Sequence, residues 1–251
     1  MGQTFGPMLK KILATLWYEQ PKECLLCGRS EADVVCSDCR SEYFRPELKR
    51  CLTCGKLLAK GTGQDLCQDC QQGKGPQNLT KVLALGYYGG DWKRFIHRVK
   101  FQSQPYLLLE LVEVLLPWVI RELPVPDIIT YVPLHPDRQA ERGFNQAEVL
   151  ASVLARKLGH KCEQALWRVR ATVPQVALGR AERLKNLREA FALQPGADVR
   201  GKILWLIDDV VTTGATIGEC ATVLKNNGAA QVYAVCLAAG MEDPVENKEE
   251  S

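Results

Sequence analysis

Residues 203–216 read ILWLIDDVVTTGAT. An apolar run ends in two adjacent carboxylates, Asp208 and Asp209, and a loop of threonines around Gly214 follows. The pattern predicts a buried strand, with both acids at its carboxyl end and VVTTGAT as the turn into a helix. A helix N-terminus offers backbone N–H groups and a favourable dipole to an anion. Thr212, Thr213 and Thr216 add hydroxyl donors, and Gly214 lets the backbone close around a phosphate. The acids repel that phosphate. They suit the hydroxyls of an attached sugar, or a Mg²⁺ held by a polyphosphate. A phosphorylated ribose meets both demands. Two rival phosphate motifs are excluded: no G-x-x-x-x-G-K-[ST] occurs, and no G-x-G-x-x-G follows a strand.

A second chemistry sits near the other end of the chain. Cysteines 24, 27, 36, 39, 51, 54, 67 and 70 form the pairs CLLCG, CSDC, CLTCG and CQDC. Each first pair ends in glycine (Gly28, Gly55) and each second has the form C-x-D-C, so one small unit is duplicated. Two residues between cysteines let a tight turn aim both thiolates at one ion, and tetrahedral Zn²⁺ takes four such ligands. Two structural Zn²⁺ sites are therefore expected. The simplest pairing is sequential, Cys24, Cys27, Cys36 and Cys39 for one ion and Cys51, Cys54, Cys67 and Cys70 for the other; a cross-braced pairing stays open. With little apolar content between 24 and 70, the metal is expected to supply much of the folding energy. Four-cysteine sites are closed and usually structural, so no metal catalysis is assumed. Cys162, Cys220 and Cys236 lie outside the repeat and read as inert core thiols.

The elements that position these groups follow from periodicity. After GKGPQNLT, a polar linker over about 73–80, apolar runs alternate with amphipathic ones. KVLALGYYGG, DIITYVPL, KILWLID and AQVYAVCLAAG read as strands. DWKRFIHRVKF, PYLLLELVEVLLPWVIREL, FNQAEVLASVLARKLG and ATIGECATVLKNNG read as helices, the second with Pro105 at its start and a bend at Pro117. Continuously apolar strands alternating with helices mean an α/β fold, a mostly parallel sheet covered on both faces. Ligands in such sheets bind at the carboxyl ends of the strands.

The 251 residues allow one good-sized domain plus a smaller one, and 46% apolar with 24% charged residues is ordinary for a soluble protein. The net charge of +3 says nothing about partners. Residues 166–191 are basic, six Lys/Arg against two Glu, and the final eleven residues carry five acids against one Lys. That tail reads as solvated. No apolar run is long enough for a membrane span. Leu9, Ile12, Leu13, Leu16 and Trp17 fall at helical spacing behind Lys10 and Lys11, which reads as an amphipathic helix rather than a signal peptide.

The DDVVTTGAT segment resembles the 5-phosphoribosyl-1-diphosphate (PRPP) loop of type I phosphoribosyltransferases. That resemblance makes Asp208 and Asp209 ribose ligands and residues 212–216 the 5′-phosphate cradle, within a PRPP-binding segment of Asp208, Asp209, Val210, Val211, Thr212, Thr213, Gly214, Ala215 and Thr216. VPLHPDRQAERGFNQ places Arg138, Arg142, Asn145 and Gln146 beyond another strand end, where a diphosphate leaving group needs cations and N–H donors. His135 reads as a turn-orienting or anion-binding residue rather than a base. The stretch holding Arg170, Gln175 and Arg183 has three open readings: a solvated helix, a mobile lid closing over PRPP, and a surface for nucleic-acid phosphates.

Together with the CxxC pairs, RVKF at 98–101, RGFNQ at 142–146 and the spaced Arg170, Thr172, Gln175, Arg183, Asn186 and Phe191 resemble the ComF family of competence-associated bacterial proteins. The resemblance covers residue 24 to about 239. It implies a double zinc ribbon (21–75) and a phosphoribosyltransferase-like domain (76–240); the N-terminal amphipathic helix (1–20) and the acidic tail (241–251) are read from the residues alone. The resemblance further implies a cytoplasmic protein that binds PRPP or a related ribose phosphate with Mg²⁺ and handles incoming single-stranded DNA beside a competence helicase. Whether such a protein is a transferase, a PRPP-gated DNA-binding module or an adaptor does not follow from these residues.

Overall fold

A computed structural model describes residues 23–30, 33–45, 48–58, 63–101, 104–169 and 189–242. The expected N-terminal helix, the basic stretch with Arg170, Gln175 and Arg183, and nearly all of the acidic tail lie outside the described residues.

The four long apolar runs form one parallel sheet. Its strands are β1 (Lys81–Tyr87), β2 (Ile128–Tyr131), β5 (Ile203–Val211) and β6 (Gln231–Ala239), in the order β1-β6-β5-β2. β5 is internal, paired with β2 (Tyr131 opposite Ile207) and with β6 (Asp208 opposite Cys236). Because strand side chains alternate, Leu204 and Leu206 enter one core layer with Ile217, Cys220 and Leu224 of helix α7 (Ala215–Asn226). Trp205 and Ile207 enter the opposite layer, with α3 (Gly90–Phe101), α4 (Leu107–Glu122) and α6 (Gln146–Leu158). Burial on both faces is why these strands read as unbroken apolar runs rather than as alternating ones. α4 continues through Pro117 to Glu122.

Three elements were not anticipated. β3 (Leu166–Arg168) and β4 (Phe191–Leu193) pair as a small antiparallel ribbon beside the main sheet, and α5 (Pro136–Arg142) is a short helix between β2 and α6. β5 also runs on through Asp208 and Asp209 to Val211, so the turn is shorter than expected.

The cysteine-rich region contains α1 (Ser37–Cys39), which passes into a π-helical turn at Arg40–Phe44, and α2 (Gln68–Gln71). Gly28 and Gly55 both take φ of +74°, which a side chain would strain. The expectation of a region with little core of its own needs correcting. Leu25, Leu26, Val35, Tyr43 and Phe44 share the main core with Trp92 and Phe95, and Phe44 meets Trp92 edge-on at 5.1 Å. The Asp91 amide donates to the Tyr43 hydroxyl (2.8 Å), and Arg98 donates to the Leu25 carbonyl. In the second unit, Leu57 donates to Gly240 O (3.1 Å) and accepts from Glu242 N (2.8 Å), continuing from the end of β6. Both units lean on the α/β domain, so packing against it contributes to holding them.

Candidate functional site at the carboxyl ends of β5 and β2

β5 delivers Asp208 and Asp209 to the carboxyl edge of the sheet, where alternation sends them to opposite faces. Asp209 turns toward α3 and pairs with Lys100 Nζ at 2.6 Å. Burial alone would push the Lys100 ammonium down, but the Asp209 and Asp208 carboxylates outweigh it and hold its pKa above the ordinary value. Asp208 accepts from the Asp209 amide at 2.8 Å. Burial, then repulsion from Asp209, pushes Asp208 up to about 7, with Lys100 and Arg168 pulling the other way. A carboxylate poised near neutrality at a strand end is a common mark of a ligand site.

The following loop closes into α7. Gly214 is its N-cap with φ of +77°, and Thr213 Oγ1 accepts from Ala215 N at 3.3 Å. Gly214 and Ala215 are buried, Thr213 and Thr216 half-buried and Thr212 exposed, so hydroxyls rather than apolar surface face outward. The first turn of α7 begins six residues after Asp209 and holds no acidic residue.

β2 lies next to β5, and Val132 N donates to Ile207 O (2.9 Å), so the chain leaving β2 emerges beside Asp208. His135 caps α5, its Nδ1 accepting from Asp137 N at 3.4 Å, which accords with a turn-orienting part. α5 carries Arg138 and Arg142, both half-buried. Arg142 is pushed below its ordinary pKa by burial, held up by Asp209 and opposed by Arg138. Its guanidinium also lies 5.0 Å from the centre of the Phe101 ring. Arg168 of β3 is half-buried over Phe191 and within electrostatic reach of Asp208 and Arg138. Two carboxylates thus meet four cations (Lys100, Arg138, Arg142 and Arg168), an excess of positive charge suited to a polyanion with a hydroxylated end.

One expected site residue, Asn145, also has a structural part. Asn145 is buried; its amide donates to Val132 O (2.9 Å) and its carbonyl accepts from Ala147 N (3.0 Å), fastening β2 to the start of α6. One N–H of its amide is thereby committed to structure. Lys100 and Phe101 join the site without having been singled out for it, and Arg168, the first cation of the basic stretch, joins it from β3. Lys100 and Phe101 stood only as family signature residues, and no spacing rule brings the end of α3 to β5. Phe101 stands 61% exposed next to Lys100 at the rim of this site.

The eight ribbon cysteines sort into two sets, Cys24, Cys27, Cys36 and Cys39, and Cys51, Cys54, Cys67 and Cys70. Within each set all sulfurs lie within 4.8 Å of one another. Four sulfurs about 2.3 Å from one ion would stand about 3.8 Å apart; Cys27 and Cys36 are 3.8 Å apart, Cys54 and Cys67 3.5 Å. The donor sets fit two structural zinc ions, paired sequentially rather than cross-braced. Cys51 is pulled down to about 4 by its hydrogen bond with Cys54, against the effect of burial. For Cys27, burial acts upward but the Arg29 guanidinium outweighs it and brings the thiol to about 6. The Cys51–Cys54 hydrogen bond pushes Cys54 up, and burial pushes Cys39 and Cys70 up, so each set combines thiolate-favouring and thiol-favouring positions. Cys220 and Cys236 are fully buried, their thiols held well above the ordinary pKa first by burial and then by Asp208.

A cleft of about 980 Å³ opens between the two cysteine units, the start of β1 and α4. It lies at the amino-terminal edge of the sheet, where Lys81 is bound to Glu122 (3.1 Å) and Lys49 to Asp65 (3.1 Å). It therefore has no part in the acid-pair site. No helix among the described residues is long and apolar enough to cross a membrane.

Comparison with known proteins agrees with this division of the chain. Residues 16–71 match the double zinc ribbon domain, and residues 145–250 match the phosphoribosyl transferase domain. The DNA utilization protein YhgH of Salmonella typhi is 35% identical over 209 residues, 81% of this chain and 89% of that protein. Competence protein F of Haemophilus influenzae is 30% identical over 81% of this chain and 90% of its own length. Competence protein ComFC of Streptococcus pneumoniae is 30% identical over 84% of this chain and 96% of its own.

Proposed function

The chain belongs to the ComF family, a double zinc ribbon joined to a phosphoribosyltransferase domain, and on that premise we propose that it binds PRPP or a related ribose 5-phosphate at the β5–α7 site. The observation that carries this is the acid pair at the end of β5, set between the α7 amides and four cations. In this reading residues 212–216 cradle the 5′-phosphate, while Asp208 and Asp209 accept from the ribose hydroxyls. Arg138 and Arg142 receive the diphosphate. Lys100 holds Asp209 until a sugar hydroxyl arrives, which keeps the buried carboxylate compensated without ligand. The carboxylates and the diphosphate oxygens are hard donors that fit Mg²⁺, which when bound would neutralise diphosphate charge.

The names of the relatives, DNA utilization and competence, support a part in DNA uptake. We assign this chain to the cytoplasm, where it handles incoming single-stranded DNA beside a helicase partner, with the ribose-phosphate domain as its sensor. The test is calorimetric titration of the zinc-loaded protein with Mg²⁺–PRPP, with and without single-stranded DNA. Saturable PRPP binding whose affinity shifts with DNA, and no release of diphosphate, is expected. Absence of PRPP binding would overturn the assignment.

A second reading, transfer of the phosphoribosyl group to a base, is favoured by one observation. Phe101 offers an exposed aromatic surface beside Lys100 and Arg142 at the rim of the site. A base nitrogen would bond to the ribose C1 as the C1–O bond to diphosphate breaks. Diphosphate released only after a base is added to the titration would establish that reading instead.

A further inference from the structure

The segment read as a polar linker is a packed connection between the second ribbon and the phosphate loop. Pro76 is buried. A Cβ on Gly214 would lie 2.8–2.9 Å from three atoms of the Pro76 ring, and a Cβ on Gly218 would lie 3.1 Å from Gln77 N and 3.3 Å from Pro76 Cα. Asn78 Nδ2 donates to Thr222 Oγ1 at 2.9 Å. Positions 214, 218 and 222 fall one helical turn apart, so residues 76–78 run along a single small-residue face of α7. The glycine of the TTGAT loop is thus needed twice: for its positive φ and for the approach of Pro76.

The other end of the segment is tied to the second cysteine set. A Cβ on Gly75 would lie 2.6 Å from Cys70 Sγ. Gly73 N donates to Cys70 O (3.1 Å) and Lys74 N to Asp69 O (2.8 Å), folding the turn back onto α2. Asp69 is in turn held by Lys56 at 2.8 Å. Glu242, beyond β6, accepts from Gln68 N at 2.6 Å and closes the same unit from below. Six residues of chain therefore lead from a thiol of the second set to the back of the phosphate loop, with close contact at each end. The first set has a different neighbour, packing on α3 through Tyr43 and Phe44.

We propose that residues 73–78 are a coupling strap. It links metal occupancy of Cys51, Cys54, Cys67 and Cys70 to anion binding at residues 212–216, and Pro76 is the positioning residue that acts through Gly214. The inference rests on the ribose-phosphate reading of the site. With metal in the second set, Cys70 and Gly75 are held, Pro76 stays seated, and the loop keeps the conformation that aims its amides at a phosphate. Loss of that metal frees α2 and the strap, and the loop loses its backing. Linkage makes the effect reciprocal: a ligand that favours the seated loop also favours metal in the second set, by the same factor.

The test follows metal release from full-length, zinc-loaded protein challenged with a chromogenic chelator, with and without saturating ribose 5-phosphate and Mg²⁺; calorimetry on the same preparation reports ligand binding. The Cys24→Ser variant, lacking the first site, identifies the phase that belongs to the second. Ribose 5-phosphate is expected to slow that phase and to leave the first-site phase unchanged. In Pro76→Gly the protection is expected to vanish while both zinc ions are still bound. Ligand binding with both phases unchanged, or both slowed alike, would overturn the coupling and leave the binding site standing. Protection surviving in Pro76→Gly would remove Pro76 from the path. Absence of ribose 5-phosphate binding would overturn the site reading and the coupling with it.

Discussion

Asp208→Asn tests the electrostatics of the acid pair without any ligand. Burial, and then the charge of Asp209, raises the Asp208 carboxyl from its ordinary 3.8 to about 7 in the folded protein. In the unfolded chain it returns to the ordinary value. Between these limits the folded state binds a proton that the unfolded state has released. Its stabilisation is therefore complete below 3.8 and lost as pH rises through about 7. Each unit in that window is worth about 1.4 kcal/mol. Raising the pH from about 5 to about 7 costs the wild type at most about 3 kcal/mol on this account, and the asparagine variant avoids that cost. Urea unfolding of both proteins across that range, read as the difference between them, is the assay. The variant should gain on the wild type as pH rises, with the change levelling off above about pH 7. A difference that stays flat would show that Asp208 titrates as an ordinary surface acid, and the picture of a poised acid pair would fail. The same titration makes affinity for Mg²⁺–ribose 5-phosphate rise with pH up to about 7, because the ionised carboxylate is the form that accepts from the ribose.

Three further outcomes are expected. Replacing both Asp208 and Asp209 by alanine should abolish PRPP binding in calorimetry and leave the far-ultraviolet circular dichroism unchanged; retained affinity would remove the acids from the site. Cys24→Ser should lower bound zinc from two ions per chain to one in a metal assay, since the sulfurs are grouped sequentially; full occupancy, or loss of both ions, would contradict that grouping. Gly214→Ala should cost about 2 kcal/mol in thermal or urea unfolding, because it combines a left-handed φ of +77° with a Cβ 2.8 Å from Pro76; a neutral effect would mean the loop and strap move apart freely.

The sheet was legible because its physics is one-dimensional. A strand buried on both faces must be apolar along its length, and KVLAL, DIITYV, KILWLI and QVYAVCLAA each satisfy that. The phosphate-loop reading came from adjacent residue types, which sequence displays directly. What escaped it depends on chain segments far apart. Aspartate disfavours strands, so β5 seemed to stop at the acids, yet pairing of Val210 and Val211 with Ala238 and Ala239 carries the strand beyond them. β3 and β4 are three residues each, too short for any period, and exist through each other. GKGPQNLT has the composition of a linker, but Pro76 is buried against the glycines of α7, a fit that composition does not encode. CxxC spacing fixed the metal chemistry while leaving two pairings open, and the grouping of the sulfurs in space decides between them. Lys100 had no reason to be paired with Asp209 until α3 was seen to end beside β5.

The most direct test of the central claim is a crystal structure of the zinc-loaded protein grown with Mg²⁺ and PRPP. The account predicts the 5′-phosphate against the backbone amides of residues 212–216, the ribose hydroxyls on Asp208 and Asp209, and Lys100 drawn away from Asp209. A phosphoribosyl group bound elsewhere, or an acid pair still closed on Lys100 at saturating ligand, would contradict it.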